Sequence, residues 1–313
     1  MKTIKYQIKL QGLKTAPGSI SIYALKDLSS ILVENTERAL RLAVEGYSLK
    51  KGQPPKWLKD AVNFNITKLS KGSTLIDIEA PELSEVAADQ IEQQNLWIAV
   101  PKPQDTALTI WANSFNKAIA EDAESDIYDR DLLNSFYGFN EFIEKYSATI
   151  EINSNQDRRI SRMSINEKEL SKIKRLTSTI PESRKIILSA KIDVIEHKNG
   201  RFKLNLENGE TILGEIDRQL LDLEIMRDHW GKKVTVRGIA DFKANGKMRF
   251  IKADMLKPFD DYEKPFEDYL IYEEPKEIVH HIIKEKPKVS PLQEIWGKWP
   301  SDESIEQILD ELD

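Results

Sequence analysis

The sequence predicts an α+β protein: an N-terminal α/β domain, then a small five-stranded OB-like or SH3-like β-barrel, then an extended C-terminal tail. Three observations lead there. Residues 1–152 mix alternating runs with stretches of helical period. Residues 186–253 carry short alternating runs separated by Asn-Gly turns. From Lys257 onward the periodic runs give way to acids and prolines, with six of the chain's thirteen prolines beyond that point. The boundaries drawn from these shifts are 1–155 for the α/β domain, 156–256 for a linker helix and the barrel, 257–290 for a Pro/acidic linker and 291–313 for the tail.

Ile4, Tyr6, Ile8 and Leu10 alternate as a first strand. Pro17-Gly18 turns the chain. Leu25, Leu28, Leu32, Ala39 and Leu42 then recur at helical spacing, and Gly46 supplies the stop. A polar loop follows around Pro54-Pro55. Val62, Phe64 and Ile66 alternate, Ser70-Lys71-Gly72-Ser73 turns, and Leu75, Ile76 and Ile78 return as a hairpin. Leu108, Trp111, Phe115 and Ile119 share a helical face, with Asp105 as the expected N-cap. A second helix carries Leu132, Phe136, Phe139 and Phe142, and residues 148–152 alternate as a late strand of the first sheet.

The barrel is read as three strands, a helix and two strands. Ile186 to Val194, Phe202 to Leu206 and Thr211 to Ile216 are the first three. Asp217 caps a helix bearing Leu220, Leu221, Ile225 and Met226. Val234 to Ile239 and Met248 to Ala253 complete the set. That order is the OB-fold's, a small barrel that often takes oligonucleotides. Phe202 and Phe250 fall in apolar phase and are expected in its core.

Composition narrows function. There is no cysteine, which excludes disulfides, thiolate metal sites and a cysteine nucleophile. No apolar run approaches the ~18 residues of a membrane span. The start of the chain alternates as a strand and lacks a signal peptide's apolar stretch, so a cytoplasmic location is expected. The histidines (His197, His229 and the pair His280-His281) lack metal-ligand spacing. The acidic run from Glu121 to Asp131 reads as a solvated loop. Lys71-Gly72-Ser73-Thr74 lacks the glycine spacing and the following helix of a phosphate loop. No catalytic residue, cofactor or metal is predicted, and the chain reads as a non-enzyme.

Two segments carry binding chemistry. The first is the tail. Ile305, Ile308, Leu309 and Leu312 make one apolar stripe behind Ser301, with Glu306, Asp310 and Glu311 opposite. A helix of about 12 residues is marginal alone in water, so the stripe is expected to bury against something. Ile295, Trp296 and Trp299 precede it around Lys298, and tryptophan is a leading interface anchor. The segment's seven acids and one base equal the whole chain's net charge of −6. The second segment is the basic, aromatic stretch of the barrel: Lys232, Lys233, Arg237, Lys243, Lys247 and Arg249, with Arg201, Lys203, Phe202, Phe242 and Trp230. It would suit single-stranded nucleic acid. Interspersed acids and the outward phase of any barrel strand favour a plain solvated surface.

The stretch Pro291-Leu292-Gln293-Glu294-Ile295-Trp296-Gly297-Lys298-Trp299-Pro300-Ser301-Asp302-Glu303-Ser304, with the helix after it, resembles the neutralising tails of bacterial type II antitoxins that restrain PIN-domain ribonuclease toxins. The match covers about 20 residues. The body, including Arg41-Leu42-Ala43-Val44-Glu45-Gly46 and Lys71-Gly72-Ser73-Thr74-Leu75, resembles an uncharacterised bacterial protein family, which brings no activity with it. The tail resemblance implies a toxin partner, with Lys298 as the base that approaches its acidic metal site. Two features depart from the pattern. The tail is strongly acidic, and the N-terminus shows neither a ribbon-helix-helix nor a swapped-hairpin DNA-binding domain. Two alternatives stand beside the antitoxin reading: a nucleic-acid adaptor using the barrel, and an assembly subunit whose tail docks on itself or on a sister chain.

Overall fold

The computed structural model describes residues 1–70, 74–92, 101–160, 162–196, 200–217, 227–260 and 270–271. Met1–Leu270 forms one compact unit and Ile271–Asp313 a second. Of the second unit only Ile271 is described, so the tail lies outside the described residues.

The first sheet is antiparallel throughout, in the order β2-β3-β1-β4-β5. Its strands are β1 (Thr3–Gln11), β2 (Asn65–Ser70), β3 (Thr74–Pro81), β4 (Thr149–Asn153) and β5 (Met163–Ile165). The alternation in β1 sends Tyr6, Ile8 and Leu10 to the core. Lys5 and Lys9 on the other face pair with Glu79 and Glu151. β4 joins β1 as residues 148–152 predict. β2 begins later than expected. Val62 instead ends a short helix, α2 (Lys56–Ala61), in the stretch read as a polar loop. Pro55 sits at that helix's N-cap, where a missing N–H costs nothing.

Helix α1 (Ile22–Glu45) spans the covered face of the sheet. The Ser21 hydroxyl caps it by accepting from the Ala24 amide at 3.1 Å. Gly46 closes it in the left-handed region, its N–H donating to the Leu42 carbonyl at 2.9 Å. Two short helices, α3 (Leu83–Val86) and α4 (Ala88–Glu92), follow β3 and share a small core with α2.

Helix α5 (Ala107–Ile119) buries Leu108, Trp111 and Phe115. Its cap is Thr106, which forms a capping box with Thr109, rather than Asp105. The Asp105 carboxylate is engaged elsewhere: it accepts from the Lys102 amide at 2.9 Å and pairs with Arg159 at 2.7 Å. The expected single helix through Phe142 is two, α6 (Arg130–Ser135) and α7 (Tyr137–Tyr146), broken at Phe136. The break lets Phe136 and Phe139 both reach Trp111. Helix α8 (Glu167–Thr179) adds Leu170, Ile173 and Leu176 to the same core.

The second sheet closes on itself. Its strands are β6 (Arg184–Glu196), β7 (Arg201–Asn205), β8 (Thr211–Ile216), β9 (Lys233–Phe242) and β10 (Met248–Pro258). They run in the order β6-β7-β8-β10-β9, and β9 pairs back to β6. β8 and β10 are parallel and the other pairs antiparallel. The parallel contact between third and fifth strands is the connectivity of an OB-like barrel and departs from an all-antiparallel SH3-like one. Phe202, Leu204, Ile186, Leu188, Val234 and Ile251 fill the interior. The helix expected after Asp217 lies outside the described residues. Leu270–Ile271 is a final two-residue strand, β11.

One core assignment is corrected. Phe250 is buried, but not among the barrel's core side chains. The register of β10 shifts between Met248 and Phe250, so Ile251 turns inward and Phe250 outward. There it packs edge-on against Tyr47, with ring centroids 5.6 Å apart, just beyond the end of α1.

Candidate functional site

The site begins where the barrel's outer face meets the C-terminus of α1. A 24-residue helix ends in unpaired carbonyls and partial negative charge. The last turn of α1 contains no base of its own. The barrel supplies two. Arg201 Nη1 on β7 donates to the Val44 carbonyl at 2.8 Å, and Arg249 Nη1 on β10 donates to the Gly46 carbonyl at 2.7 Å. Arg249 is only 6% exposed, and its Nη2 lies 3.6 Å from both Asp129 and Asp241. Burial raises the Asp241 carboxyl above its ordinary range, against the pull of the Arg249 charge. Asp129 also caps α6 through the Leu132 amide at 2.8 Å and binds the Ser48 amide and hydroxyl.

The β9–β10 turn completes the contact. Lys243 Nζ pairs with Asp126 at 2.8 Å, and the Asn245 amide donates to the Ala123 carbonyl. The acidic run read as a solvated loop is therefore in part an interface. Burial also raises Glu215 on β8 and Tyr47, which face each other across the same junction. A cleft of about 280 Å³ remains beside it, walled by Leu42, Ala43, Ile110 and Leu213, with Asn113 and Arg201 among its polar groups.

This arrangement decides what the barrel can offer. OB barrels take oligonucleotides on the face of their second and third strands and on the loop joining the fourth to the fifth. Here β7, β8 and the 243–247 turn are among them, and Arg201, Glu215, Lys243 and Asn245 on these elements are engaged by Val44, Tyr47, Asp126 and Ala123.

The predicted basic residues are thus largely paired. Lys243 and Arg249 hold the junction. Lys247 pairs with Glu210 at 2.8 Å, Arg237 with Asp254 at 2.7 Å, and Lys233 with Glu207 at 2.6 Å. Lys233 also sits 4.2 Å from the centroid of Phe259, which pins the start of the Pro/acidic segment to the barrel. Lys232 is exposed, and among the described residues it makes no ion pair. Phe202 and Phe242 are buried, whereas Trp230 is 68% exposed. The tail candidates Ile295, Trp296, Lys298, Trp299, Ile305, Ile308, Leu309 and Leu312 lie outside the described residues.

The junction arginines were visible only as bases in a basic stretch. Their partners are 157 and 203 positions away in the chain, and no local pattern links them.

A buried network marks the other end of α5. The Tyr6 hydroxyl meets the Thr106 and Thr109 hydroxyls at 2.8 and 3.1 Å, and Asp157 accepts from Thr109 at 2.6 Å. Burial pushes the Tyr6 phenol up to about 12, so it stays protonated at any ordinary pH. Every member has a partner, which fits a structural strut. Among the described residues no group of three or more His, Asp or Glu is placed to hold a metal, and no helix is long and apolar enough to cross a membrane. Comparison with protein-family models, curated proteins and solved structures finds no match for the chain.

Proposed function

We propose that this is a non-enzymatic, cytoplasmic partner-binding protein of antitoxin type. Its C-terminal tail docks on a PIN-like ribonuclease toxin and occludes it. The observation that carries the reading is the tail's own pattern. An apolar stripe of Ile305, Ile308, Leu309 and Leu312 follows the anchors Ile295, Trp296 and Trp299, in a segment that concentrates the chain's negative charge. The buried clusters described for residues 1–270 are filled by side chains between Tyr6 and Leu256. Lys298 is the base that approaches the toxin's acidic centre, while the acidic face of the tail lies beside that centre. Removing the tail is therefore expected to abolish binding and spare the fold.

The test is co-purification of the full chain and of residues 1–290 with the product of the adjacent reading frame. Recovery by the full chain alone supports the reading, and equal recovery by both sinks it. Light scattering before and after removal of residues 291–313 separates this from an assembly subunit, whose mass would fall to that of a single chain.

A further inference from the structure

With Arg201, Glu215 and the 243–247 turn of the usual OB face engaged, Trp230 presents an open aromatic surface elsewhere on the barrel. Trp230 lies in the turn before β9. Its indole N–H donates to the Asp193 carbonyl at 3.1 Å, which fixes one edge of the ring against β6 and leaves 68% of the side chain exposed. Gly231 and Lys232, which follow Trp230, bond to Ile192: the Gly231 N–H donates to the Ile192 carbonyl and the Ile192 N–H to the Lys232 carbonyl. The β6 register shifts there, between Ile192 and Val194. The indole N–H and the turn that carries the ring are therefore held by backbone groups of β6.

Cations are carried by the same turn and the neighbouring strands. Arg227 and Lys232 are exposed on the same turn, and Lys191 is exposed on β6. Lys203 on β7 stands opposite Val194. None of the four forms an ion pair among the described residues, unlike most bases of this barrel. Among the described residues of the 227–232 turn and of 191–194 on β6, Arg227, Lys232 and Lys191 outnumber the acids Asp193 and Asp228.

We propose that Trp230 is a stacking platform for single-stranded nucleic acid, with Arg227, Lys232, Lys191 and Lys203 taking the flanking phosphates. The charge excess selects a polyanion, and a flat, fixed, exposed ring selects one that presents bases. Every base has a π-face, so little sequence preference is expected. One ring and four cations make a short footprint of two or three nucleotides. This surface is independent of the tail, and its failure would leave the tail reading untouched.

The experiment is fluorescence anisotropy of labelled oligothymidylate and oligouridylate with the full chain across a salt series. Binding at low salt is expected, with log K falling against log salt by about 2 to 3 for three to four phosphates. Trp230→Ala should weaken binding about tenfold or more, and Trp230→Phe should restore part of it. Lys232→Ala and Arg227→Ala should each reduce the slope by about 0.7. All three positions of substitution are exposed, and circular dichroism checks that the fold persists. Absence of binding at low salt overturns the proposal, as does binding that ignores Trp230→Ala. Equal competition by polyglutamate of matched charge also overturns it, and would make the patch a surface for acidic protein.

Discussion

Replacing Arg249 by methionine isolates the energetics of the junction between barrel and helix α1. The substitution keeps an apolar stem and removes the guanidinium. Three interactions go with it: the bond to the Gly46 carbonyl at 2.7 Å and the approaches to Asp129 and Asp241 at 3.6 Å. A charge-assisted hydrogen bond is worth about 1.5–3 kcal/mol. Stripping the partner from a buried carboxylate costs about 3–5 kcal/mol where no relaxation occurs. Relaxation is available here, because Asp129 keeps its bonds to Ser48 and Leu132, and Asp241 is partly open to solvent and retains Ser183. The expected loss is therefore about 3 kcal/mol near neutral pH. The pH dependence fixes the cause. Asp241 is already raised above its unfolded value, so its charged form costs stability above that raised pKa and the cost vanishes below the unfolded one. Losing Arg249 raises it further. The deficit of Arg249→Met should shrink as pH falls through the raised pKa toward the ordinary aspartate range, and Asp241→Asn in the same chain should recover part of it. Urea unfolding followed by circular dichroism at several pH values measures this. A loss under about 0.5 kcal/mol at neutral pH, or one that does not change with pH, would refute the assignment.

Other perturbations follow from the same geometry. Gly46→Ala meets a positive φ of 87° and places a Cβ 2.8 Å from the Phe250 ring, so it should cost about 2 kcal/mol in thermal unfolding, with Phe250→Leu returning part of it. Asp129→Ala removes the α6 cap and both bonds to Ser48 and should cost about 2–3 kcal/mol, seen as a lowered urea midpoint. Tyr6→Phe leaves Thr106, Thr109 and Asp157 bonded to one another, so a loss of only about 1 kcal/mol is expected in the same assay. Glu215 is raised by burial, so its ionisation opposes folding at neutral pH; Glu215→Gln should stabilise at pH 7 and lose that advantage as pH drops toward the unfolded glutamate value, read from melting temperature against pH.

The strands were legible because half-buried strands alternate with period two. Tyr6, Ile8, Leu10 and Phe202, Leu204 point inward as read. Gly46 ended α1 for the chemical reason expected. Finer assignments failed where neighbours competed. Asp105 and Thr106 are adjacent cap residues, and Arg159 drew the aspartate away from the helix. Helix α2 was missed because a proline pair looks the same in a loop and at a helix start. Phe250 changed sides because a bulge shifts phase by one residue, which leaves no mark in composition. The basic stretch of the barrel was visible, but its pairing was not. Lys243–Asp126 and Arg249–Asp129 are long-range contacts, and they turn a candidate nucleic-acid face into an internal interface. Lys232, Trp230 and Lys247 keep the exposure expected of that surface, and Lys247 spends its charge on Glu210.

The central claim concerns the tail, and titration calorimetry tests it most directly. The full chain and its Trp296→Ala/Trp299→Ala variant would be titrated against the product of the adjacent reading frame. Each anchoring tryptophan is worth about 2 kcal/mol or more, so the double variant should bind nearly a thousandfold more weakly or not at all, with its melting temperature unchanged. Affinity of the variant within threefold of the unaltered chain would contradict the account.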